Sequence, residues 1–303
     1  MSRPTFFNKA ANSNDCNVYG FFEKSTSTWT YLVSDDETRE AFIIDSVLDY
    51  DPISSRISTD TADGLLDFVK EQNLKVTRIL ETHAHADHLT AAQYLKRRLG
   101  GNVPVGIGKH ITKVQATFKS TYGLHPFATD GSQFDTLFSD GDEVKLGSLK
   151  SQVLHLPGHT PDHVGYLIGE SVFTGDSIFM PDVGSARSDF PGGSATDLFA
   201  SANRLLALPP HYRLYVGHDY PPTERQETGY ATVAEQREMN KHLKSGTGEN
   251  EFVEWRAERD ATLASPRLLH ASLQVNLRAG ALPDADEEGR IFFKLPVRVP
   301  AGF

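Results

Sequence analysis

Runs of apolar residues divide the chain into many short strands and fewer helices. Residues 29–33 and 41–45 are rich in β-forming side chains and flank a polar turn at 35–38, which predicts a hairpin. Residues 60–72 place apolar side chains at helical spacing. The apolar run at 76–81 is typical of a buried strand, and a polar, histidine-rich segment follows it directly.

Strands and helices continue to alternate along the rest of the chain. The pattern predicts further helices at 89–99, 197–207, 232–244 and 250–263, and further strands at 103–107, 149–156, 164–168, 172–174, 214–216 and 291–297. Because the two element types are interleaved in both halves, the expected fold class is α/β. We expect one main domain over residues 1–245, with 246–303 as a helix and strand extension packed on it.

Composition and charge limit the possible partners. The 303 residues carry a formal net charge of −10, which argues against broad binding to nucleic acids or anionic membranes. No stretch approaches the roughly 20 apolar residues that span a bilayer, and residues 1–10 do not resemble a targeting segment. We therefore expect a cytoplasmic protein. Cys16 is the only cysteine, so neither an intrachain disulfide nor a cysteine-based zinc site can form.

The segment 82–88 concentrates side chains that can bind metal ions. It holds four such side chains within six residues, His83, His85, Asp87 and His88. Alternate residues of an extended segment point the same way, so His83 and His85 can face one ion together. As the chain turns into the next helix, Asp87 and His88 can face a second position. The alternative, a solvated histidine-rich helix cap, does not explain the matching motifs downstream.

Three later strands each end in a glycine followed by a possible metal ligand. These ligands are His159 in a Pro-Gly-His-Thr sequence, Asp176 after Gly175, and His218 after Gly217. Glycine lets the chain turn sharply and leaves the ligand at the sheet edge, where open α/β folds usually place their sites. The sequence therefore predicts one metal centre assembled from four separate segments.

The order of these motifs resembles the metallo-β-lactamase superfamily, with Asp45 similar to its first, structural aspartate. The resemblance implies a four-layer αββα sandwich, with two mixed β-sheets face to face and helices outside. His155 and His163 flank His159 and could support the ligands from outside the coordination shell. The other histidines have no such context and are expected to be ordinary polar residues: His110, His125, His211, His242 and His270.

Two chemistries are compatible with the complete ligand set. In the thioester hydrolases of the glyoxalase II type, the matching positions would hold two Zn(II) ions, bridged by Asp176. The first ion would take His83, His85 and His159, and the second would take Asp87, His88 and His218. Such a pair of ions would bridge a hydroxide and polarise a carbonyl group. A lactone hydrolase belongs to the same alternative.

The loop at 181–193 favours the other chemistry. Its Arg-x-Asp-Phe sequence, which contains Arg187 and Asp189, is similar to persulfide dioxygenases, as are the stretches 44–52 and 275–280. That resemblance implies one Fe(II) per chain, held by His83, His159 and Asp176. Two histidines and one carboxylate would leave coordination positions for a persulfide sulfur and O2. His85, Asp87, His88 and His218 would then support the iron ligands or hold a second site.

The resemblance also implies a substrate and an assembly. The expected substrates are glutathione persulfide, or a related small persulfide, and O2, converted to sulfite and thiol. Arg187 and Asp189 are expected to form an ion pair in the active-site loop, and Tyr220 to act beside the metal. Asn240 and Lys241 lie where relatives place a substrate-binding Asn-Pro-Arg element. Helix 252–263 would cover the site or a partner subunit, and relatives suggest a homodimer.

Overall fold

The computed structural model of the chain describes residues 3–302, within which there are sixteen strands and seven helices. The strands are β1 (Phe6–Asn8), β2 (Asn17–Glu23), β3 (Thr28–Ser34), β4 (Glu40–Ile44), β5 (Val47–Asp51), β6 (Arg56–Ser58), β7 (Lys75–Leu80), β8 (Leu89–Thr90), β9 (Val105–Gly108), β10 (Thr136–Phe138), β11 (Glu143–Leu146), β12 (Leu149–His155), β13 (Val164–Ile168), β14 (Ser171–Gly175), β15 (Arg213–Val216) and β16 (Tyr230–Thr232). The helices are α1 (Asp60–Glu71), α2 (Ala92–Arg98), α3 (Ile111–Tyr122), α4 (Ala195–Leu206), α5 (Val233–Met239), α6 (Glu249–Asp260) and α7 (Leu269–Asn276). None of the helices in this part of the chain combines the length and apolar character needed to cross a membrane.

Two large mixed sheets form the centre of the molecule. The first has seven strands in the order β1-β2-β3-β4-β7-β9-β10, antiparallel up to β4 and parallel from there on. The second has six strands in the order β11-β12-β13-β14-β15-β16, with one parallel pair, β14 with β15. A small antiparallel sheet, β6-β5-β8, adjoins the metal-binding segment. The two large sheets bring strand ends from both halves of the sequence to one site.

The space between the large sheets is filled by buried aromatic and aliphatic side chains. Trp29, Tyr31 and Phe42 of the first sheet belong to the same cluster as Phe173 and Tyr215 of the second. All five side chains are almost completely buried. Burying a side chain of this size contributes roughly 1.5–3 kcal/mol, so this layer is a main source of stability.

Helices cover the outer face of each sheet. Side chains of α1, α2, α3 and α7, such as Phe68 and Leu273, pack with the first sheet. Side chains of α4, α5 and α6, such as Leu198 and Phe252, pack with the second. The four-layer αββα sandwich expected from the resemblance is therefore confirmed. The C-terminal segment supplies α6 to one outer layer and α7 to the other.

Three predicted elements differ from the structure. The helix expected at 232–244 ends at Met239, although Thr232 and Glu235 form a capping box at its start. The helix expected at 89–99 begins only at Ala92, because Leu89–Thr90 pairs with β5 as a short strand. The strand predicted at 291–297 is wrong: these residues pair with no strand among residues 3–302. The apolar side chains there find no partner edge; Phe293 packs against the core, and most of the others remain exposed.

Candidate metal centre

Four strand ends deliver the predicted ligands to one place. β7 runs into the segment that holds His83, and β12 is followed by Gly158 and His159. In the same sheet as β12, Asp176 follows β14, and His218 follows β15. Because β14 and β15 are parallel neighbours, their carboxyl ends lie side by side. The single centre predicted from the sequence is present as an arrangement of side chains.

One group of possible ligands consists of His83, His159 and Asp176. Their ligand atoms all lie within 4.8 Å of one another, and all three side chains are buried. The His159 Nε2 atom is 3.7 Å from Asp176 Oδ2. Among the described residues, His83 Nε2 and Asp176 Oδ1 are buried without a hydrogen-bond partner. Buried polar atoms are rarely left unpaired, so unpaired ligand atoms in a group this close together fit a metal ion.

A relay from Asp45 fixes the tautomer of His83. The Thr82 hydroxyl donates to Asp45 Oδ2 at 2.9 Å, so its oxygen can only accept from His83 Nδ1, also at 2.9 Å. The proton of His83 therefore resides on Nδ1, and Nε2 keeps its lone pair for a metal ion. Burial, with the neighbouring histidines, holds the pKa of His83 well below its usual value, which also favours the neutral ligand form. Asp45 has φ of 52°, a left-handed conformation that aspartate tolerates better than most residues.

His159 is oriented in the same way by the loop that follows β14. Its Nδ1 atom donates to the main-chain carbonyl of Arg187 at 2.7 Å, which leaves Nε2 facing Asp176. The preceding Gly158 has φ of +136°, and a Cβ atom there would overlap the backbone of Leu198 in α4. Only glycine can bring the strand end this close to the helix, so the Pro-Gly turn predicted from the sequence has a defined steric cause.

Asp87, His88 and His218 form a second group beside the first. His88 Nδ1 lies 2.9 Å from Asp87 Oδ2. His218 Nε2 lies 3.4 Å from Asp87 Oδ2 and 3.6 Å from Asp176 Oδ2. Burial disfavours the charged form of His218, but the two carboxylates outweigh it and raise its pKa. His88 Nε2 has no hydrogen-bond partner within residues 3–302.

His85 lies beside two carboxylates, Asp45 and Glu81. The sequence did not identify Glu81 as its partner. His85 Nε2 is 3.1 Å from Asp45 Oδ1 and 3.2 Å from Glu81 Oε2, both fully buried carboxylates. Burial would lower the pKa of His85, but these two carboxylates raise it well above the usual value. Burial raises the pKa of Glu81 in turn. Glu81 gave no sequence signal, because it directly follows β7 and precedes the histidine-rich segment without matching any of the ligand motifs.

The two flanking histidines have different environments. His163 is buried beside the ligands, and its ring is nearly parallel to that of His83 with centroids 4.8 Å apart. Its Nε2 accepts the main-chain N–H of Asp176 at 2.9 Å. His155 instead contacts the carbonyl of Pro161 at 3.2 Å and stacks near His110. Of the two, His163 is the one that touches a metal-binding residue.

A cavity of about 920 Å³ opens onto the centre. Besides metal ligands, its lining includes four residues that the sequence analysis assigned to the active-site loop or the substrate: Arg187, Asp189, Tyr220 and Lys241. The predicted ion pair is present, with Arg187 Nε and Nη2 on the two oxygens of Asp189 at 2.6 and 2.7 Å. Tyr220 is half exposed; burial of its hydroxyl, with nearby carboxylates, raises its pKa, so the phenol stays protonated. Asn240 does not line the cavity: it is buried and donates to the Gly184 carbonyl at 3.1 Å.

The cavity is rich in cationic side chains although the chain is acidic. Those that line it are Arg187, Lys241, Arg256, Arg259, Arg267 and Arg298. Within residues 3–302, Lys241, Arg259, Arg267 and Arg298 form no ion pair. Helix α6 contributes Trp255, Arg256 and Arg259, so it covers the site as predicted. Local positive charge in an otherwise negative protein favours a small anionic ligand.

Comparison with known proteins agrees with this fold and centre. Residues 25–218 match the metallo-beta-lactamase superfamily, and the chain belongs to it. It is therefore an enzyme of that superfamily, with residues suited to a metal cofactor.

Its relatives fall into two groups. The chain is 48% identical over 287 residues to glyoxylase B2 of Dictyostelium discoideum, with coverage of 94% of this chain and 98% of that protein. It is 30% identical over 262 residues to the mitochondrial persulfide dioxygenase ETHE1 of Bos taurus, with coverage of 86% and 87%. This chain is also similar to the crystal structure of ETHE1 from Myxococcus xanthus, with a TM-score of 0.69 and 32% sequence identity. The match covers 87% of this chain and 99% of the Myxococcus chain.

Proposed function

We propose that the protein is a mononuclear Fe(II) persulfide dioxygenase. The observation that carries the proposal is the group His83, His159 and Asp176, whose ligand atoms lie within 4.8 Å of one another. Two imidazoles and one carboxylate are the facial ligand set of non-heme Fe(II) oxygenases. The similarity to persulfide dioxygenases over 86% of the chain supports the same chemistry. Bound Fe(II) would supply the open coordination positions and the redox activity that the side chains lack.

The reaction balances with water as a third reactant. One persulfide, one O2 and one water give one thiol, one sulfite and two protons. The sulfur–sulfur bond breaks, the terminal sulfur loses four electrons, and O2 gains them. Two oxygens of sulfite come from O2, and the third comes from water. The terminal sulfur is therefore the only atom oxidised, and the carrier thiol is released unchanged.

The side chains of the cavity would bind and orient the substrate. Lys241 and Arg259 are placed to attract the carboxylates of glutathione persulfide, the carrier that we propose. The protonated hydroxyl of Tyr220 can donate a hydrogen bond to the reacting sulfur. The Arg187–Asp189 pair holds the loop in place, with Arg187 Nη1 also donating to the Ala264 carbonyl at 2.8 Å. Arg187 would thus position the cavity wall and contribute positive charge to it.

A dinuclear hydrolase of the glyoxalase II type is the second candidate. His85 Nδ1 and His88 Nε2 are also buried without hydrogen-bond partners in the described part of the chain. His85, Asp87 and His88 are also a group of possible ligands whose ligand atoms lie within 4.8 Å of one another. Against a second ion, His85 Nε2 lies 3.1 and 3.2 Å from the buried carboxylates of Asp45 and Glu81, which favour the charged imidazolium, and a charged imidazolium does not bind a metal. We therefore favour one iron.

The deciding experiment measures O2 uptake by protein loaded with Fe(II) under anaerobic conditions and then given glutathione persulfide. We expect uptake with sulfite formed in equal amount. If protein confirmed to hold iron consumes no O2, the proposal fails. Zinc-loaded protein assayed with glutathione thioesters then tests the hydrolase, which would release one free thiol for each thioester consumed.

A further inference from the structure

Two helices of the C-terminal segment contact the surroundings of the metal centre, one at the ligand-bearing segment 83–90 and one at the loop 185–189 that orients His159. α7 ends at Asn276 beside the segment 83–90, and α6 ends at Asp260 beside the loop 185–189. Both side chains are almost fully buried. Sequence reasoning assigned this segment to an extension and gave these two residues no role.

Asn276 connects to the first loop through three hydrogen bonds. Its Nδ2 atom donates to the carbonyls of His85 and His88, each at 2.8 Å. Its Oδ1 atom accepts the main-chain N–H of Thr90 at 2.9 Å. The close packing continues at Gly280, where a Cβ atom would lie only 3.1 Å from the Thr90 carbonyl. One amide therefore fixes the backbone at both ends of the turn that carries Asp87 and His88.

Asp260 connects to the loop 185–189. Its Oδ2 atom accepts both the N–H and the hydroxyl of Ser188, at 2.9 and 3.0 Å. The Arg256 guanidinium lies 2.6 Å from Asp260 Oδ1 and donates to the Ala186 carbonyl at 3.1 Å. The main-chain carbonyl of Arg187, between these two attachment points, accepts a hydrogen bond from His159 Nδ1 at 2.7 Å. The helix thereby fixes the main-chain carbonyl that orients a metal ligand.

We propose that Asn276 and Asp260 are positioning residues of the metal centre. Asn276 acts through the backbone of the ligand-bearing segment 83–90, and Asp260 acts through the backbone of the loop 185–189 that orients His159. Neither side chain touches a metal-binding atom. Loops are positioned by their contacts with the rigid scaffold, and hydrogen bonds outside the coordination shell set the orientation of metal ligands. The metal-binding domain is therefore complete only with the segment after residue 245. This inference rests on the metal centre and is independent of the reaction proposed above.

The first experiment replaces Asn276 in the full-length chain loaded with Co(II). Asn276→Asp keeps the size of the side chain but replaces the group that donates to two carbonyls. We expect Co(II) release to a chelator to accelerate by about 10- to 100-fold, with a changed visible absorption spectrum. If Asn276→Asp does not fold, Asn276→Ser removes the same donors without adding a charge. Release and absorption equal to those of the parent protein would overturn the role of Asn276.

A matched variant separates positioning from general stability. Gln115 is also a buried amide in contact with the C-terminal segment, through a 3.0 Å hydrogen bond to the Leu277 carbonyl, but it contacts no metal-bearing loop. We expect Gln115→Glu to lower the urea midpoint and leave the rate of Co(II) release unchanged. If Gln115→Glu accelerates release as much as Asn276→Asp, positioning by Asn276 is refuted.

The second experiment replaces Asp260. We expect Asp260→Asn, and to a smaller extent Ser188→Ala, to change the Co(II) absorption spectrum and accelerate release, because His159 loses its fixed acceptor. Asp15 is the control: it is another buried carboxylate, paired with Arg213 and remote from the metal centre. Asp15→Asn should destabilise the fold without altering the Co(II) spectrum. An unchanged spectrum in folded Asp260→Asn, or equal changes in both variants, would overturn the role of Asp260.

Discussion

His163 Nε2 accepts a hydrogen bond of 2.9 Å from the main-chain N–H of Asp176. The proton of His163 must therefore be on Nδ1, which lies 3.4 Å from the Ser177 hydroxyl. Burial, with nearby histidines, holds the pKa of His163 well below its usual value, so the ring stays neutral as this contact requires. A histidine that binds no metal thus sets the position of a carboxylate that can.

Asp176→Ala should abolish activity, whichever metal is bound. Asp176 is a ligand in both the mononuclear and the dinuclear arrangement, and alanine offers no oxygen to bind the metal. Metal content by elemental analysis and turnover should fall together. Asp182→Ala serves as the control, because that exposed carboxylate pairs with Arg225 outside the centre. Full activity in Asp176→Ala would remove the site assignment.

His88→Ala separates the two candidate functions. A mononuclear dioxygenase should keep one iron per chain and measurable turnover, because His88 is not among its three ligands. Some loss of activity is expected, since Asp87 loses the contact at 2.9 Å that orients it. Elemental analysis is the measurement. A fall from two ions per chain to one, with activity lost, would instead favour the dinuclear hydrolase.

Gly217→Ala should displace Asp176 and reduce metal occupancy. A Cβ atom at Gly217 would overlap Asp176 Oδ1 and crowd Gly175. Relief of such an overlap typically costs about 1–3 kcal/mol of stability, measurable as a lower urea midpoint. Gly248→Ala is the matched change, since nothing lies within 4 Å of a Cβ atom there. Normal metal content in Gly217→Ala would show that metal binding by Asp176 does not require its close contact with Gly217.

Arg259→Gln should weaken binding of an anionic substrate without affecting the chemical step. Arg259 is exposed at the cavity and lies apart from the proposed ligands. An exposed charge pair contributes about 0.2–1 kcal/mol, so we expect KM to rise about 1.5- to 5-fold with kcat unchanged. The salt dependence of KM should also decrease. Arg290→Gln, which removes a surface cation paired with Asp286, should change neither constant. A fall in kcat alone would contradict this role.

His242 should make the stability of the folded chain depend on pH in the acidic range. It stacks on Trp255 with ring centroids 3.5 Å apart. Burial, with the cations Lys241 and Arg256, lowers the pKa of His242 to about 4. Since its pKa in the unfolded chain is about 6.5, only the unfolded chain binds this proton between those values. The stabilising contribution of neutral His242 is therefore present above pH 6.5 and lost as the pH falls towards 4.

Urea unfolding of the parent protein and His242→Gln at several pH values measures this effect. The difference in unfolding free energy between the two proteins should shift in favour of His242→Gln as the pH falls from 6.5 to 4. Other groups titrate in both proteins and cancel in the difference. A difference that stays constant across this range would show that His242 does not carry the effect.

The sequence was sufficient to select the candidate ligands, because their signals are local. A glycine at a strand end followed by histidine or aspartate is visible without knowing where the strand lies. Order and spacing of these motifs identified the superfamily, and with it the four-layer fold that the structure confirms. Local pattern was not enough at residues 291–297, where a mainly apolar run suggested a strand that has no partner in the described chain. Strand pairing depends on a neighbour that the segment itself does not specify.

Only the tertiary structure decided which groups surround the ligands. Asn276 binds the His85 and His88 carbonyls from 191 and 188 residues further along the chain. Asp45, which lies 3.1 Å from His85, is 40 residues before it. Similarly, Asn240, predicted at the cavity, is buried away from it, whereas Arg259 and Arg267 line it. The sequence by itself therefore determined which atoms can bind a metal, because that is a property of residue type and local turns. Tautomer, pKa and the shape of the cavity were decided by long-range contacts, because each depends on what packing brings within hydrogen-bond distance.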